Sequence, residues 1–498
     1  MQIETILHSL PLGVLPFMLL LPLFGALIAY LAGDRLSRPV AVTVGLIELV
    51  LSLLLAVTFD PIVAAGDPLV GMRETWTYVM GNVYPGTSIE LRVGVDGISV
   101  VMVVLANLVV FVALLSSNHI NKSQKFFYAL MLILQTGLDG VFMSINLLGF
   151  FIFWELVLIP MFFVIGQWGE EGAQHAAVKF FIYTQLGSLA MLVGFFALFV
   201  VGGTFDMIAL RNLDLDPLVG IGFAVAVFLG AGVKLPVWPL HNWLPYAHVK
   251  APTPGSVILA GILLKMGGYA FVRLGLWLNA DAFLRLSIPF AILAVFTCIY
   301  AAFTAMAQTD LKSMVAYTSI NHMSWVLLGV AANTELAIQG AVFMMFSHGV
   351  IISVLFIVAG LLKYSAGSRQ IPDVQGLMKG APRLSAVFVL ASMAAFGLPS
   401  FSGFIAEALI LFGSVQVYIW AGAIAFGIFV TVGYFLWTLN RVVFSPPSEK
   451  QMHDASAADL IGPAIMMFAA LVLGLWPDLI LRLLNNVVEV VFLSLAGG

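Results

Sequence analysis

The sequence predicts an all-α polytopic membrane protein. Of its 498 residues, 61% are hydrophobic and 9% are charged, whereas soluble domains are about 45–50% apolar and about 25% charged. The apolar residues are gathered into stretches of about 20, the length at which a helix crosses a bilayer. This composition excludes an ordinary soluble domain. The net charge of -4, with no basic block, gives no sign of a nucleic-acid partner.

Fourteen stretches of the chain predict transmembrane helices. They lie near residues 11–32, 40–59, 97–116, 126–146, 147–166, 178–201, 218–243, 254–278, 286–307, 311–331, 337–362, 383–414, 417–443 and 459–477. The first is too long for a signal peptide and has no basic segment before it, so we expect it to be retained. Residues 88–95 alternate polar and apolar side chains, which predicts a short surface strand. We expect a single membrane domain over residues 1–498.

Lysines are concentrated in one of the two sets of loops. The loops after odd-numbered spans hold Lys122, Lys125, Lys250, Lys312, Lys363, Lys379 and Lys450. The opposite loops hold acidic residues instead, namely Asp60, Asp67, Glu74, Asp206, Asp214, Asp216 and Glu335. By the positive-inside rule the lysine side faces the cytoplasm. We therefore expect both termini on the non-cytoplasmic side of a prokaryotic cytoplasmic membrane.

Two spans contain sequences that interrupt a helix. Span seven has three prolines within residues 236–245, and span twelve has a Gly-Leu-Pro-Ser-Phe-Ser-Gly run at residues 397–403. Proline removes a backbone donor and clashes with the preceding turn, so neither span is one regular helix. Broken helices at matching positions are typical of transporters built from inverted repeats. We expect two inverted five-helix repeats, residues 126–278 and 286–443, with helices 7 and 12 broken.

Four ionisable side chains inside the predicted spans are the candidate functional residues: Glu155, Lys234, Lys265 and Glu407. A charge near the centre of a membrane helix costs roughly 2.5–3.5 kcal/mol, so such residues are rare and usually functional. Lys234 has the alternative of extending to the membrane surface, although its position just before a helix break favours function. A Glu155 to Lys234 pair would keep both groups charged.

Two histidines on successive spans extend this set. His322 and His348 lie in spans ten and eleven, between the two broken helices. Either alone is more often a buried structural histidine, but together they become candidates for a proton path. No compact His, Cys and carboxylate spacing predicts a metal site, and the single cysteine, Cys298, cannot form an intrachain disulfide. We expect no cofactor in this chain, so redox chemistry would belong to other subunits.

The motifs around the broken seventh span form a recognisable set. Residues 234–245 read Lys-Leu-Pro-Val-Trp-Pro-Leu-His-Asn-Trp-Leu-Pro, and residues 251–254 read Ala-Pro-Thr-Pro. Residues 259–269 read Leu-Ala-Gly-Ile-Leu-Leu-Lys-Met-Gly-Gly-Tyr, and the segment 310–323 begins Asp-Leu-Lys and ends His-Met. This set closely resembles the antiporter-like, proton-pumping subunits of respiratory complex I over nearly the whole chain.

Within that family the chain is most similar to subunit M, the NADH-quinone oxidoreductase chain M or NADH dehydrogenase subunit 4 family. The related L and N subunits, and the D subunit of Mrp antiporters, usually place a lysine where this chain has Glu407. The resemblance implies a membrane-arm proton-translocating subunit of an NADH:quinone oxidoreductase, or of a relative with a deazaflavin or ferredoxin donor. It also implies that quinone and redox cofactors belong to partner subunits of a multi-subunit complex.

The resemblance also implies roles for the six candidate residues. Glu155 would modulate the proton affinity of Lys234. Lys265 would relay charge together with His322 and His348, and Glu407 would pass protons to the far side. Two other functions stay open: a subunit of an Mrp-type sodium/proton antiporter, and a membrane subunit of a membrane-bound hydrogenase.

Overall fold

The computed structural model describes residues 13–59, 73–84, 87–446 and 452–484. Predictions on Asp60, Asp67, Lys450 and both chain ends lie outside these residues. We number the main helices as follows: α1 Val14–Leu31, α2 Gly33–Thr58, α3 Gly97–Leu115, α4 Gln124–Met143, α5 Leu147–Trp168, α6 Ala173–Gly202, α7 Pro217–Lys234, α8 Trp243–Lys250, α9 Thr253–Trp277, α10 Ser287–Met306, α11 Leu311–Ala332, α12 Glu335–Ala366, α13 Pro382–Ala395, α14 Ser402–Val415, α15 Ile419–Val442 and α16 Ala457–Leu475. Short helices Met207–Arg211, Ala280–Arg285 and Leu377–Gly380 lie in the loops.

The helices match the predicted spans closely. Within the described ranges, twelve helices are long and apolar enough to cross a membrane, and they coincide with twelve of the fourteen predicted spans. The tenth predicted span is the complete 22-residue helix α11, which is less apolar than the others. The twelfth is divided into α13 and α14, each of 14 residues. The chain is therefore an integral membrane protein with an almost entirely helical fold.

Both predicted helix breaks are present. Helix α7 ends at Lys234, and the chain makes a series of turns before α8 begins at Trp243. The indole of Trp243 donates to the Val233 carbonyl over 2.9 Å, which satisfies one of the acceptors left free where α7 ends. Helix α13 ends at Ala395, and Gly397 takes a φ of 78°, a left-handed conformation that favours glycine.

Helix α9 has an irregularity that the sequence does not predict. Its α-helical centre, Leu264–Ala270, is flanked by two π-helical segments, Leu259–Leu263 and Phe271–Trp277. No proline marks either segment, and π-helical turns of this kind are frequent at functional sites. The central segment carries Lys265.

A β-hairpin lies beside the membrane helices. The strand predicted at 88–95 is strand β2, Thr87–Val95, and it pairs antiparallel with β1, Arg73–Tyr84. Arg92 on β2 forms an ion pair with Asp206 over 2.7 Å. The hairpin is thereby fixed to the loop that precedes the short helix Met207–Arg211.

The helices are unequally buried. The apolar windows of α9 and α12 are completely enclosed by protein, whereas only 33% of those of α6 and α15 is buried. Because an apolar helix face that protein does not cover suits a hydrocarbon environment, α6 and α15 form the outer surface. Polar residues on α9 and α12 are consequently held in the centre of the fold.

Candidate functional site

Four of the six predicted site residues come together from four helices. Lys265 on α9, His348 on α12, His322 on α11 and Glu407 on α14 are each at most 7% exposed. We call these four residues the Lys/His/Glu row. The sequence places them up to 142 positions apart (407 − 265), and the fold brings them into one buried line.

The first contact of the row joins Lys265 to His348. The Lys265 Nζ atom is 2.7 Å from His348 Nδ1, and it also donates to the carbonyl of Ala260. Ala260 lies in the first π-helical segment of α9, where the widened turn leaves its carbonyl accessible to a side chain. A lysine ammonium has only donors, so Nδ1 accepts when Lys265 is charged.

The other contacts connect the two histidines and Glu407. The rings of His348 and His322 have centroids 5.4 Å apart. His322 Nε2 is 3.6 Å from Glu407 Oε1, an ion pair when the imidazole is protonated. A hydrogen bond of 2.7 Å between the hydroxyls of Ser347 and Ser402 fixes α12 against α14 at the same level.

Two buried ring nitrogens of the row have neither a hydrogen-bond nor an ion-pair partner. They are His348 Nε2 and His322 Nδ1. A small cavity lined by both histidines and Glu407 lies beside them. A neutral imidazole can accept a proton at one nitrogen and release one from the other. The two free nitrogens are therefore those that a transfer from His348 to His322 requires.

Gly397 lies against the Glu407 carboxyl, where a larger residue would clash with it. A Cβ atom at position 397 would lie 2.5 Å from Glu407 Oε2, far inside van der Waals contact. The helix break between α13 and α14 thus brings a residue without a side chain against the carboxyl. The Gly-Leu-Pro run predicted the break but not this contact.

Lys234 and Glu155 form a second part of the site. Lys234 is 2% exposed, and its Nζ atom has no hydrogen-bond partner and lies 4.9 Å from the centre of the Trp154 ring. Glu155 is half-buried and close enough to act electrostatically on Lys234. The two are neighbours but do not form a direct ion pair in this structure.

The two parts of the site meet at the break of helix α7. A Cβ atom on Gly267 would lie 2.6 Å from both the Ala231 carbonyl oxygen and the Leu235 amide nitrogen. Helix α9 therefore packs directly against the backbone at the end of α7, two residues from Lys265 on one side and one from Lys234 on the other. No hydrogen bond joins the two lysines.

Sequence reasoning missed further buried bases, among them His248 and Lys312. His248 on α8 is fully buried, neither ring nitrogen has a partner, and the charges of Lys312 and Lys265 both act on it. Lys312, predicted to lie in a loop, instead begins α11 with 2% exposure and donates to the Ala251 carbonyl over 2.5 Å. It lines a cavity of about 480 Å³ that also contacts Lys122. No motif in the sequence around His248 marked it as a candidate functional residue.

A separate buried ion pair anchors the C-terminal half of α9. Arg273 is 2% exposed, and its Nη2 atom is 2.5 Å from Asp96 Oδ2. Arg273 also donates to the Tyr269 hydroxyl over 3.2 Å, and that hydroxyl donates to the Phe142 carbonyl over 3.1 Å. This network fixes the orientation of α9 against α3 and α4.

Metal ligands are not grouped in this site. Within the described ranges, no cluster of three or more His, Cys, Asp or Glu residues is arranged to hold a metal ion. Cys298 is buried, with its Sγ atom directed at the Ile424 carbonyl. The chemistry that the described side chains offer is proton exchange between lysine, histidine and carboxyl groups.

These features define a polytopic membrane protein with a buried line of ionisable groups. The family model described as NADH:quinone oxidoreductase/Mrp antiporter, TM matches residues 144–432, a range that includes all six predicted site residues. Because it covers more than half of the chain, it establishes the family.

Individual relatives agree with that match. NADH-quinone oxidoreductase subunit M of Rhodobacter capsulatus is 36% identical, covering 91% of this chain and 90% of the relative. F(420)H(2) dehydrogenase subunit M of Methanosarcina mazei is 37% identical, covering 83% and 86%. A chain in respiratory complex I from Thermus thermophilus with bound NADH has a TM-score of 0.86 at 26% identity, covering 96% of this chain and 100% of that one. The chain belongs to the NADH:quinone oxidoreductase/Mrp antiporter family, as the sequence motifs predicted.

Proposed function

We propose that this chain is a proton-translocating subunit of the membrane arm of an NADH:quinone oxidoreductase, or of a close relative with another electron donor. Its relatives bear the names of subunits of such complexes. In this proposal quinone is reduced in partner subunits, and this chain moves protons in response. The observation that carries the proposal is the Lys/His/Glu row, a continuous line of buried ionisable groups inside an integral membrane protein.

The row supports a stepwise transfer. Lys265 donates its proton to His348 Nδ1, and His348 releases one from Nε2 across the cavity to His322 Nδ1. His322 then donates from Nε2 to Glu407 Oε1. Each imidazole must afterwards return to its first tautomer, so transfers proceed one proton at a time. Glu407, on the second half of a broken helix, releases the proton towards the far side.

Glu155 and Lys234 suit the role of a switch. When the carboxylate approaches Lys234 it favours the charged ammonium, and when it withdraws it favours the neutral amine. The unpartnered Nζ atom of Lys234 and its contact with the Trp154 ring are consistent with the separated arrangement. A movement of α5 relative to α7 would couple this pair to events in a neighbouring subunit.

Lys312 and His248 provide access to the row. The cavity of about 480 Å³ has Lys122, Lys312 and Lys363 in its walls. His248 lies deeper and is influenced by the charges of Lys312 and Lys265. We assign this lysine-rich face to the cytoplasmic side of a prokaryotic cytoplasmic membrane, which places both termini on the other side.

The two helix breaks support an inverted repeat. We assign residues 126–278 and 286–443 to two five-helix units of opposite orientation. The break between α7 and α8 lies in the first unit, and the break between α13 and α14 lies at the matching helix of the second. In transporters with inverted repeats such half-helices border the transported ion.

The proposal is tested with the intact complex reconstituted in vesicles. Lys234→Ala and Glu407→Ala should each reduce proton pumping coupled to quinone reduction on the order of 100-fold, the scale of a lost proton-transfer group. The exposed residues Lys379 and Glu171, changed to alanine, are the matched controls and should pump normally. Pumping at the wild-type rate by an assembled Lys234→Ala or Glu407→Ala complex would exclude the route through that residue.

A further inference from the structure

A second group of buried polar residues lies away from the Lys/His/Glu row, among helices α2, α3 and α4. Glu48 on α2, Asn107 on α3, and Gln135 and Asp139 on α4 all have 0% exposure. Glu48 and Asp139 are close enough to interact electrostatically. The site is inside apolar helices that cross the membrane, so its polar groups have no access to bulk water.

Two carboxamide side chains connect this group. Asn107 Nδ2 donates to Asp139 Oδ1 over 3.0 Å and to the Val103 carbonyl over 3.0 Å. Gln135 Nε2 donates to Asn107 Oδ1 over 2.6 Å. Both amide hydrogens of Asn107 are thus used, and one carboxyl oxygen of Asp139 is satisfied.

Four oxygen atoms in the group have no hydrogen-bond partner. They are both carboxyl oxygens of Glu48, Oδ2 of Asp139 and Oε1 of Gln135. Gln135 belongs to the same hydrogen-bonded group through Asn107, and its free acceptor is on a neutral amide. The group therefore has an excess of acceptors, and buried acceptors require donors. Protons on the carboxyl groups supply such donors.

The charges of the two carboxyl groups also require a bound proton. No cationic side chain of the described ranges forms an ion pair with Glu48 or Asp139. None of the charged or titratable side chains on the surrounding helices is a hydrogen-bond partner of either carboxyl. These side chains are Tyr30, Asp34, Arg35, Arg38, Asp96, Lys125, Tyr128, Glu155, Lys265, Tyr269, Arg273, Glu335, His348, Lys363, Tyr364 and Asp459. Two neighbouring carboxylates in an apolar environment cannot both stay ionised.

We propose that Glu48 and Asp139 form a second proton-binding site in the membrane, separate from the Lys/His/Glu row. Helix α3 stands between the two sites, because its Val109 contacts Gly261 of α9 while its Asn107 faces Asp139. The site holds at least one proton between the two carboxyls. The ligand is the proton itself, and no redox partner or cofactor is needed.

Infrared spectroscopy of the intact complex tests this site. A protonated carboxylic acid has a carbonyl band that is separate from carboxylate bands and shifts in heavy water. The spectrum of wild type minus the Glu48→Gln/Asp139→Asn double variant should show the loss of at least one such acid band. Both changes replace an acid by a neutral amide of the same shape, so we expect the complex to assemble. If the double variant does not assemble, the spectra of the two single variants provide the same test.

The matched control is Glu171→Gln, which removes an exposed carboxyl and should leave the acid bands intact. Loss of carboxylate bands alone in the Glu48 and Asp139 variants would overturn the proposal. So would disappearance of the wild-type acid band on adding sodium ions, because the site would then bind a metal cation. Neither reading depends on whether protons move through the Lys/His/Glu row.

Discussion

At the scale of single residues, Glu407 has a contact on each side that constrains its role. His322 Nε2 is 3.6 Å from one carboxyl oxygen, and Gly397 leaves room for the other. In the proposed transfer this carboxyl accepts a proton from the histidine. A group with this task must change its protonation state, which an amide cannot do.

Glu407→Asp should therefore retain much more pumping than Glu407→Gln. Aspartate keeps a titrating carboxyl, whereas glutamine keeps only shape and polarity, and we expect the Gln variant to lose on the order of 100-fold in pumping rate. Proton uptake by vesicles containing each variant complex measures the difference. Equal rates for the two would reduce Glu407 to a hydrogen-bonding role.

Individual residues also show where sequence reasoning stops. Lys265 and Glu407 were predictable because a charge within an apolar stretch is costly and visible in one dimension. His248 has no such mark, since histidine is uncharged and common in helices, and its nearness to Lys265 and Lys312 exists only in the folded chain. Lys312 was misplaced because a lysine at the end of a span reads as a loop residue.

At the scale of elements, the break between α13 and α14 positions a carboxyl rather than merely interrupting a helix. Gly397→Ala should disturb Glu407, because the new methyl group would lie 2.5 Å from Oε2 and φ is 78°. We expect the complex to assemble, since the displaced atom ends a flexible side chain, and pumping to fall by less than the roughly 100-fold loss of a proton-transfer group. Vesicle pumping assays measure this effect.

Gly367→Ala is the matched control for that experiment. Gly367 has a similar φ of 71°, but apart from its chain neighbours no atom of the described residues lies within 4 Å of its position for a Cβ. Both changes impose the same backbone strain, and only one of them touches the carboxyl. If the two variants pump equally well, the contact between Gly397 and Glu407 does not contribute to proton pumping.

Arg369 connects two loops on the lysine-rich side of the protein. Its guanidinium is 2.5 Å from Glu170 Oε1 and 2.6 Å from Asp310 Oδ2, so it joins the loop after α5 to the loop before α11. Partial burial alone would raise the pKa of the Glu170 carboxyl, but the hydrogen bond and charge of Arg369 hold that pKa below its ordinary value. The folded state therefore favours ionised Glu170.

Glu170→Gln should lower the free energy of unfolding of the complex by about 1 kcal/mol at pH 7. The effect is small because the interaction is partly exposed and therefore screened by solvent. A carboxyl whose pKa is depressed on folding stabilises the protein above its unfolded pKa of about 4.3 and loses this effect as pH falls through the folded pKa. The difference from wild type should stay constant down to about pH 5 and shrink below about pH 4. Thermal unfolding of the solubilised complex measures it, with Glu171→Gln as control. A difference that does not change with pH would exclude the ion pair as its cause.

Elements differ in how well the sequence predicts them. The spans were predictable because hydropathy and length are local properties, and the breaks because proline and glycine act on their own backbone. The π-helical segments of α9 were not, since no residue within them forbids a regular helix. Each segment contains a glycine with a close neighbour, Val109 at Gly261 and Phe283 at Gly275. Such contacts are set by the packing of the folded chain.

At the scale of the whole molecule, the two fully enclosed helices carry Lys265 and His348, and the outer helices shield them. Helices α9 and α12 have no exposed part in their apolar windows, so Lys265 and His348 are shielded from lipid and bulk water. The row contains two histidines and a lysine, and nitrogen ligands bind hard cations such as sodium poorly. The molecule is therefore suited to protons.

The reconstituted complex should form its electrochemical gradient in sodium-free medium and lose it on addition of a protonophore. The physical reason is the nitrogen-rich row, which offers no cage of oxygen ligands for sodium. A potential-sensitive dye reports the gradient. A gradient that requires sodium and survives the protonophore would instead favour function as a sodium/proton antiporter.

The central claim, that protons pass from Lys265 to His348, is tested most directly by Lys265→Arg in the reconstituted complex. Arginine keeps the positive charge at this position but does not release its proton in proteins. The measured quantity is the number of protons translocated per electron transferred to quinone. A lower ratio than in wild type, in an assembled complex that still reduces quinone, is the predicted result. An unchanged ratio would contradict proton transfer through Lys265.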